Sequence, residues 1–289
     1  MKGSSTIEIY EVGPRDGLQS AKCDVSVADK VSMIEQLYDC GIRNIEVGSF
    51  VHPKLVPNMS ASATVFNEIK KLPCHLSVLV PNEKGLERAK AVGATNINVC
   101  LSPSETFNAE NFNSSLAVLH ATYRSMLWGI PKENIRVYIS HAFGCPTDGQ
   151  YDDLFIANVL QQSALLGYTV VLSDTAGIAD AQSIQRIGDI IARMPSTKWA
   201  VHLHENEHGD SLIGNVQMAY DVGIRQFDTS IGGIGGCPFV KGSGANLATE
   251  TLLQWANDNG VGTVNPIDAS KLTTLGQWVR GLISKSHAL

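Results

Sequence analysis

The stretch Val201-His202-Leu203-His204 carries two histidines separated by one apolar residue. In a β-strand, alternate side chains share a face, so this spacing points both imidazoles one way and turns Leu203 to the other. Two imidazoles that converge like this can hold one divalent metal; read alone, the stretch fits two unrelated strand histidines equally well. The flanking chain places it. Upstream, Thr169 to Ser173 reads as a strand and Ala181 to Met194 as a helix. Downstream come a helix over Leu212 to Val222, a strand over Gln226 to Ser230, and a glycine-rich loop before a helix near Leu247 to Asn257. The histidine strand is thus one of a series.

The same alternation runs back to the start. Strands are expected at Ile7–Val12, Asn44–Phe50, His75–Val80, Asn96–Leu101 and Ile135–Ala142. Helices are expected at Ala28–Cys40, Ala61–Lys71, Glu83–Val92, Ser115–Trp128 and Asp153–Leu166, with SPSETFNAENFN (102–113) as a polar loop. Strands alternating with helices imply right-handed crossovers and a parallel sheet. Eight such units in a chain of 289 residues predict a closed (β/α)8 TIM barrel, an α/β fold. A doubly wound open sheet is the alternative, weakened by the lack of GxGxxG after the first strand. One domain is expected over 1–289, with 266–289 as a C-terminal extension of one or two helices packed on the barrel.

The apolar fraction of 44% suits a globular core, and the net charge of −6 offers no broad basic face for nucleic acid. No apolar run approaches the roughly 20 residues of a membrane span. The six cysteines are scattered, without CxxC or secreted-scaffold spacing, as expected of a reduced, cytoplasmic protein. The residues ahead of the first strand show neither an apolar h-region nor an Arg-rich transit pattern, so no signal or transit segment is expected.

Active sites of such barrels lie at the C-terminal ends of the strands. The polar residues at those ends form a compact set: Arg15 and Asp16, Glu46 and Ser49, His141, Ser173 to Thr175, His202, His204 and Glu205, then Asp228 and Ser230. Asp16, His202, His204 and Asn246 make an N2O2 donor set suited to Mg²⁺, Mn²⁺, Co²⁺ or Zn²⁺ with open positions for Lewis-acid work. Asp16 also fits a turn before Gly17, and Asn246 an N-cap. Arg15 reads as a fixed cation for a developing oxyanion. Glu46 reads as its buried partner or as an acid–base group. Cys237, at the tip of GIGGCP, reads as a thiol on a mobile lid that donates a proton, although glycine loops also cradle phosphates.

Several motifs resemble the 3-hydroxy-3-methylglutaryl-CoA lyase family of the metal-dependent TIM-barrel lyase and Claisen-synthase superfamily. They are YEVGPRDGLQ (10–19), IEVGSFVHPKLVPNM (45–59), FGCPTDG (143–149), LSDTAG (172–177), VHLH (201–204) and GGIGGCPFVKGSGANLATE (232–250). The resemblance implies retro-Claisen cleavage of a 3-hydroxy-3-methylglutaryl thioester to acetyl-CoA and acetoacetate, and a leucine-catabolic or ketone-body role. It implies metal ligation by Asp16, His202, His204 and Asn246, enolate neutralisation by Arg15, and catalytic parts for Cys237, Glu46, Asp174 and His202. It also implies a homo-oligomer, most simply a dimer. Coenzyme A would cross the barrel mouth, with Lys22, Lys54 and Lys241 as candidates for its phosphates. HLHENEHGDSLIGN (202–215) departs from the family pattern: it runs about two residues longer, Glu205 stands for an aspartate, and His208 is extra. That departure leaves a related 3-hydroxyacyl-CoA open as substrate. A condensing synthase of the same superfamily is the other alternative.

Overall fold

The computed structural model describes residues 6–205, 212–236 and 244–284. Eight parallel strands close on themselves: β1 (Thr6–Glu11), β2 (Asn44–Ser49), β3 (His75–Leu79), β4 (Asn96–Leu101), β5 (Ile135–Ile139), β6 (Thr169–Ser173), β7 (Lys198–His202) and β8 (Gln226–Thr229). Each pairs with its successor, and β1 pairs with both β8 and β2, so the sheet has no free edge at its seam. This is the expected TIM barrel. Between the strands run α1 (Val27–Asp39), α2 (Ser62–Ile69), α3 (Glu83–Ala91), α4 (Glu105–Phe112), α5 (Leu116–Met126), α6 (Asp153–Leu166), α7 (Ala181–Ile191), α8 (Leu212–Asp221) and α9 (Thr249–Asp258).

The helices follow from caps and stripes. In α1, Ser26 accepts the Asp29 N–H at 3.1 Å, and Met33, Ile34 and Leu37, spaced one turn apart, are buried against the sheet. Burying each such side chain contributes about 1.5–3 kcal/mol. The main apolar core lies between strands and helices. A second, small cluster of Tyr138, Val171 and Ala200 fills part of the barrel interior.

Two expectations are corrected, the polar loop at 102–113 and the extent of the histidine strand. The segment read as a polar loop contains α4, which Ser104 caps through the Phe107 N–H at 3.0 Å and Asn113 ends in a left-handed conformation (φ 49°). The chain after 265 supplies one described helix, α10 (Ala269–Ser284), which packs on α1 and α9. It is preceded by a two-residue strand, β9 (Gly262–Thr263), beside the start of β1. The histidine strand stops at His202, and His204 belongs to an isolated antiparallel bridge with Asn246. Among the described residues no helix is long and apolar enough to cross a membrane.

Candidate metal centre at the barrel mouth

The turn after β1 is a π-helix, Gly13–Gly17, in which the N–H groups of Asp16 and Gly17 both reach back to the Val12 carbonyl. Single π-turns widen the backbone locally and recur at functional sites. This one presents Arg15 and Asp16 side by side. Glu11 anchors it: one carboxyl oxygen accepts the N–H of Gly13 and of Ile231, each at 2.8 Å, and the other accepts the Thr249 hydroxyl at 2.6 Å. Burial pushes the Glu11 carboxyl up to about 7 despite these donors.

Asn246 arrives by a different device. After β7 the chain pairs with the segment 245–247, Glu205 N–H to Ala245 O at 2.8 Å and Leu247 N–H to Leu203 O at 3.1 Å. That ribbon lays Asn246 across from His204. The helix it precedes is capped at Ala248 without a side-chain bond, so the N-cap reading of Asn246 is wrong. Its amide donates to Asp16 Oδ2 at 3.0 Å and to the Ile234 carbonyl at 2.9 Å. Packing here is tight: a Cβ on Gly235, already at φ +95°, would lie 2.6 Å from the Asn246 amide and 2.8 Å from Gly17 Cα.

Asp16, His202 and His204 each bring one donor atom within 4.8 Å of the others. The two imidazoles meet edge to face with centroids 4.8 Å apart, as the alternate spacing predicts. His204 Nδ1 lies 2.8 Å from the Asp174 carbonyl and donates to it, which leaves Nε2 as a bare lone pair. That Nε2 and the Asn246 Oδ1 are buried and have no partner among the described residues. Two orphaned acceptors beside a carboxylate are costly unless a cation takes them. The surrounding formal charges point the same way. Arg15 and Arg136 face Asp16, Glu46, Asp174 and Asp228, an excess of negative charge that a divalent cation would cancel. Oxygen and imidazole donors of this mix fit such an ion.

The electrostatics sort the groups. Burial would raise the Asp16 carboxyl, but Arg15, then His202 and His204, outweigh it and hold it well below the usual carboxylate range. Burial, then His202, pushes His204 down to about 4, so it is neutral and able to ligate at pH 7. Burial pushes Asp174 up to about 6 against the N–H groups of Ile178 and Ala179. Arg15 keeps its charge: burial opposes it, yet Glu46 and Asp16 hold its pKa well above normal. Its Nε donates to Glu46 at 2.6 Å and its Nη1 to Asp16 at 2.6 Å. Glu46 is fully buried and also accepts from Asn98 at 2.8 Å and Tyr138 at 3.3 Å. Glu46 is therefore Arg15's buried partner, one bond removed from the candidate centre.

Arg15, Asp16, Glu46, Asp174, His202, His204 and Asn246 thus converge. Lys22 and Lys54 lie exposed on the loops that follow β1 and β2, on the mouth side. Cys237, Lys241 and His208 lie outside the described residues. Sequence reasoning missed the inward-facing polar layer beneath the mouth: Tyr10, Ser77, Asn98, Arg136 and Tyr138. Small barrels usually fill that space with Val, Ile and Leu. The available signal was Arg136 and Tyr138 two residues apart in one apolar strand, and Asn98 among apolar neighbours.

Comparison with known proteins agrees with this architecture. The HMGL-like family profile matches residues 6–279. A Pseudomonas aeruginosa protein named 3-hydroxy-3-isohexenylglutaryl-CoA/hydroxy-methylglutaryl-CoA lyase is 36% identical over 286 residues, 97% of this chain and 94% of its own length. The crystal structure of hydroxymethylglutaryl-CoA lyase from Pseudomonas aeruginosa superposes with a TM-score of 0.89 at 35% identity, covering 98% of this chain and 95% of that one. An HMG-CoA lyase from Acinetobacter baumannii, in complex with coenzyme A and 3-methylmalate, gives 0.88 at 31% identity, with 97% and 92% covered. With its barrel and nearly its whole length shared with these proteins, the chain belongs to the HMGL-like family.

Proposed function

We propose that this protein cleaves 3-hydroxy-3-methylglutaryl-CoA to acetyl-CoA and acetoacetate by a metal-dependent retro-Claisen reaction. The observation that carries the reading is the meeting of Asp16, His202 and His204 within 4.8 Å, with the Arg15 guanidinium bonded to Asp16. A divalent cation held by Asp16, His202, His204 and Asn246 would supply Lewis acidity that makes the substrate's tertiary alcohol easier to deprotonate. The residues do the rest. A base in the pocket, for which Asp174, raised to about 6, is the candidate, takes the hydroxyl proton. The O–H pair becomes the new ketone of acetoacetate as the C2–C3 bond breaks, and the bonding pair moves onto the thioester as an enolate. Arg15, fixed by Glu46 and permanently charged, neutralises that enolate. Cys237 returns a proton to C2, giving acetyl-CoA.

A substrate with a larger C3 substituent is the second reading, favoured by the altered loop after His204 and by the two substrates in the Pseudomonas relative's name. Lys22, Lys54 and Lys241 are our candidates for the coenzyme A phosphates, and Mg²⁺ or Mn²⁺ for the ion, because half the donors are oxygens. A reducing compartment, which we take as the cytoplasm, suits six cysteines scattered without secreted-scaffold spacing. A homodimer is our reading of the assembly, checked by sedimentation. The decisive assay is acetyl-CoA release from 3-hydroxy-3-methylglutaryl-, longer 3-alkyl-, malyl- and citramalyl-CoA, with the metal stripped and restored. Turnover of the methylglutaryl thioester that vanishes with chelator and returns with Mg²⁺ or Mn²⁺ is expected. Activity on malyl-CoA alone would replace the reading.

A further inference from the structure

Asp228 is a buried acid of the mouth to which the chemistry above gives no part. It stands on β8 in register with His202 on β7, so the two side chains project into the barrel as cross-strand neighbours. Its Oδ1 is bonded to Arg136, which reaches across from β5, and the Arg136 guanidinium is stacked 3.7 Å over the Tyr10 ring. Its Oδ2 has no other partner among the described residues, and neither has His202 Nδ1. These two atoms face each other at 3.5 Å. Two buried polar atoms with nothing else to bind are each other's partners, at a separation that tightens when a ligand fills the far side of the ring.

We propose that Asp228, clamped by Arg136, is the positioning residue that sets the tautomer and orientation of His202 as a metal ligand. The proton is held on Nδ1, facing Asp228, and the Nε2 lone pair is turned to the side where Asp16 lies, Nε2 to Oδ2 being 3.9 Å. His204 receives the same service from a neutral carbonyl, that of Asp174. His202 instead has a carboxylate partner, bonded on its other oxygen to Arg136, and a carboxylate partner makes an imidazole a stronger donor to the ion. Arg136 has a second effect: it occupies one oxygen of Asp228, so only the other can serve the histidine.

The inference rests on the metal-centre reading above, and its test separates the two. In Asp228→Asn the amide oxygen stays with Arg136, and the amide NH2 is left facing His202. That forces the ring proton onto Nε2, where it blocks the lone pair. Calorimetric titration of the metal-free protein with Mn²⁺ is expected to give a Kd for Asp228→Asn about 10–100-fold weaker than wild type, with the melting temperature of the metal-free protein little changed. The double variant Arg136→Met/Asp228→Asn frees the amide oxygen to turn towards His202, and its Kd is expected to return towards wild type. A wild-type Kd in folded Asp228→Asn overturns the proposal. A double variant no tighter than Asp228→Asn removes the clamp. A wild type that binds no Mn²⁺ sinks the metal centre instead. A readout free of any variant is the ¹⁵N histidine spectrum of the wild type at pH 8.5: protonated Nδ1 on His202 is expected, and protonated Nε2 overturns the proposal whether or not the variants fold.

Discussion

Arg15 is held by two carboxylates at once, Nε on Glu46 and Nη1 on Asp16. Only a planar fork makes two fixed bonds in different directions; a lysine ammonium is a point charge on a flexible stem. Arg15→Lys is therefore expected to keep the fold and a positive charge, yet to lower kcat by about 10²–10³, the usual cost of a lost oxyanion donor. Steady-state kinetics beside thermal melts check this, and a kcat within tenfold of wild type would reduce Arg15 to a structural tie. Cys237→Ser is expected to lower kcat far more than it raises KM, since a thiol that acts only as proton donor adds little to ground-state binding. An unchanged kcat makes the thiol a bystander. At this scale much of the site was legible. Asp16, His202 and His204 stand out by type and spacing, and their rings and carboxylate do meet. The layer beneath them was not legible, because Arg136, Asn98 and Tyr138 gain their meaning only from partners on other strands.

Among the elements, the π-turn after β1 and the helix α4 escaped the pattern reading for definable reasons. A five-residue π-turn is too short for a hydrophobic period to repeat in it, and GPRDG reads as an ordinary turn. The buried residue of α4 is Asn108 rather than an apolar stripe, so periodicity is silent there and only its caps announce it. The strands and long helices were legible to within a few residues because their cores alternate or repeat every turn. The fastening that joins the π-turn, the loop after β8 and the start of α9 is Glu11, and it has a pH signature. Its carboxyl titrates near 7 in the folded protein, above the ordinary 4.5. The contribution is full below 4.5 and is lost as pH rises towards 7, because ionisation is disfavoured in the native state. The loss amounts to roughly 3 kcal/mol across that window. Glu11→Gln keeps an oxygen for the two N–H groups and offers an NH2 to the Thr249 hydroxyl. Wild-type stability minus that of Glu11→Gln, from urea midpoints between pH 4.5 and 8, is therefore expected to fall with pH and then level off. A flat difference would mean the carboxyl is not proton-linked to folding.

The whole molecule brings its proposed ligands from the two ends of the barrel order: Asp16 follows the first strand, the histidines the seventh, and Asn246 the eighth. Stripping the ion is expected to lower the melting temperature by several degrees, and returning Mn²⁺ at a hundred times its Kd to restore about 2.7 kcal/mol; identical melts with and without chelator would deny the ion any stabilising role. The barrel's closure, β1 lying between β8 and β2, gives this arrangement a temporal meaning. A nascent chain that has emerged only as far as β6 owns a carboxylate but neither imidazole nor the amide. The cation can then join only after the ring has zipped shut, as a rivet driven last. Excess Mn²⁺ should therefore leave the refolding rate alone and slow unfolding, the mark of a contact formed after the rate-limiting barrier.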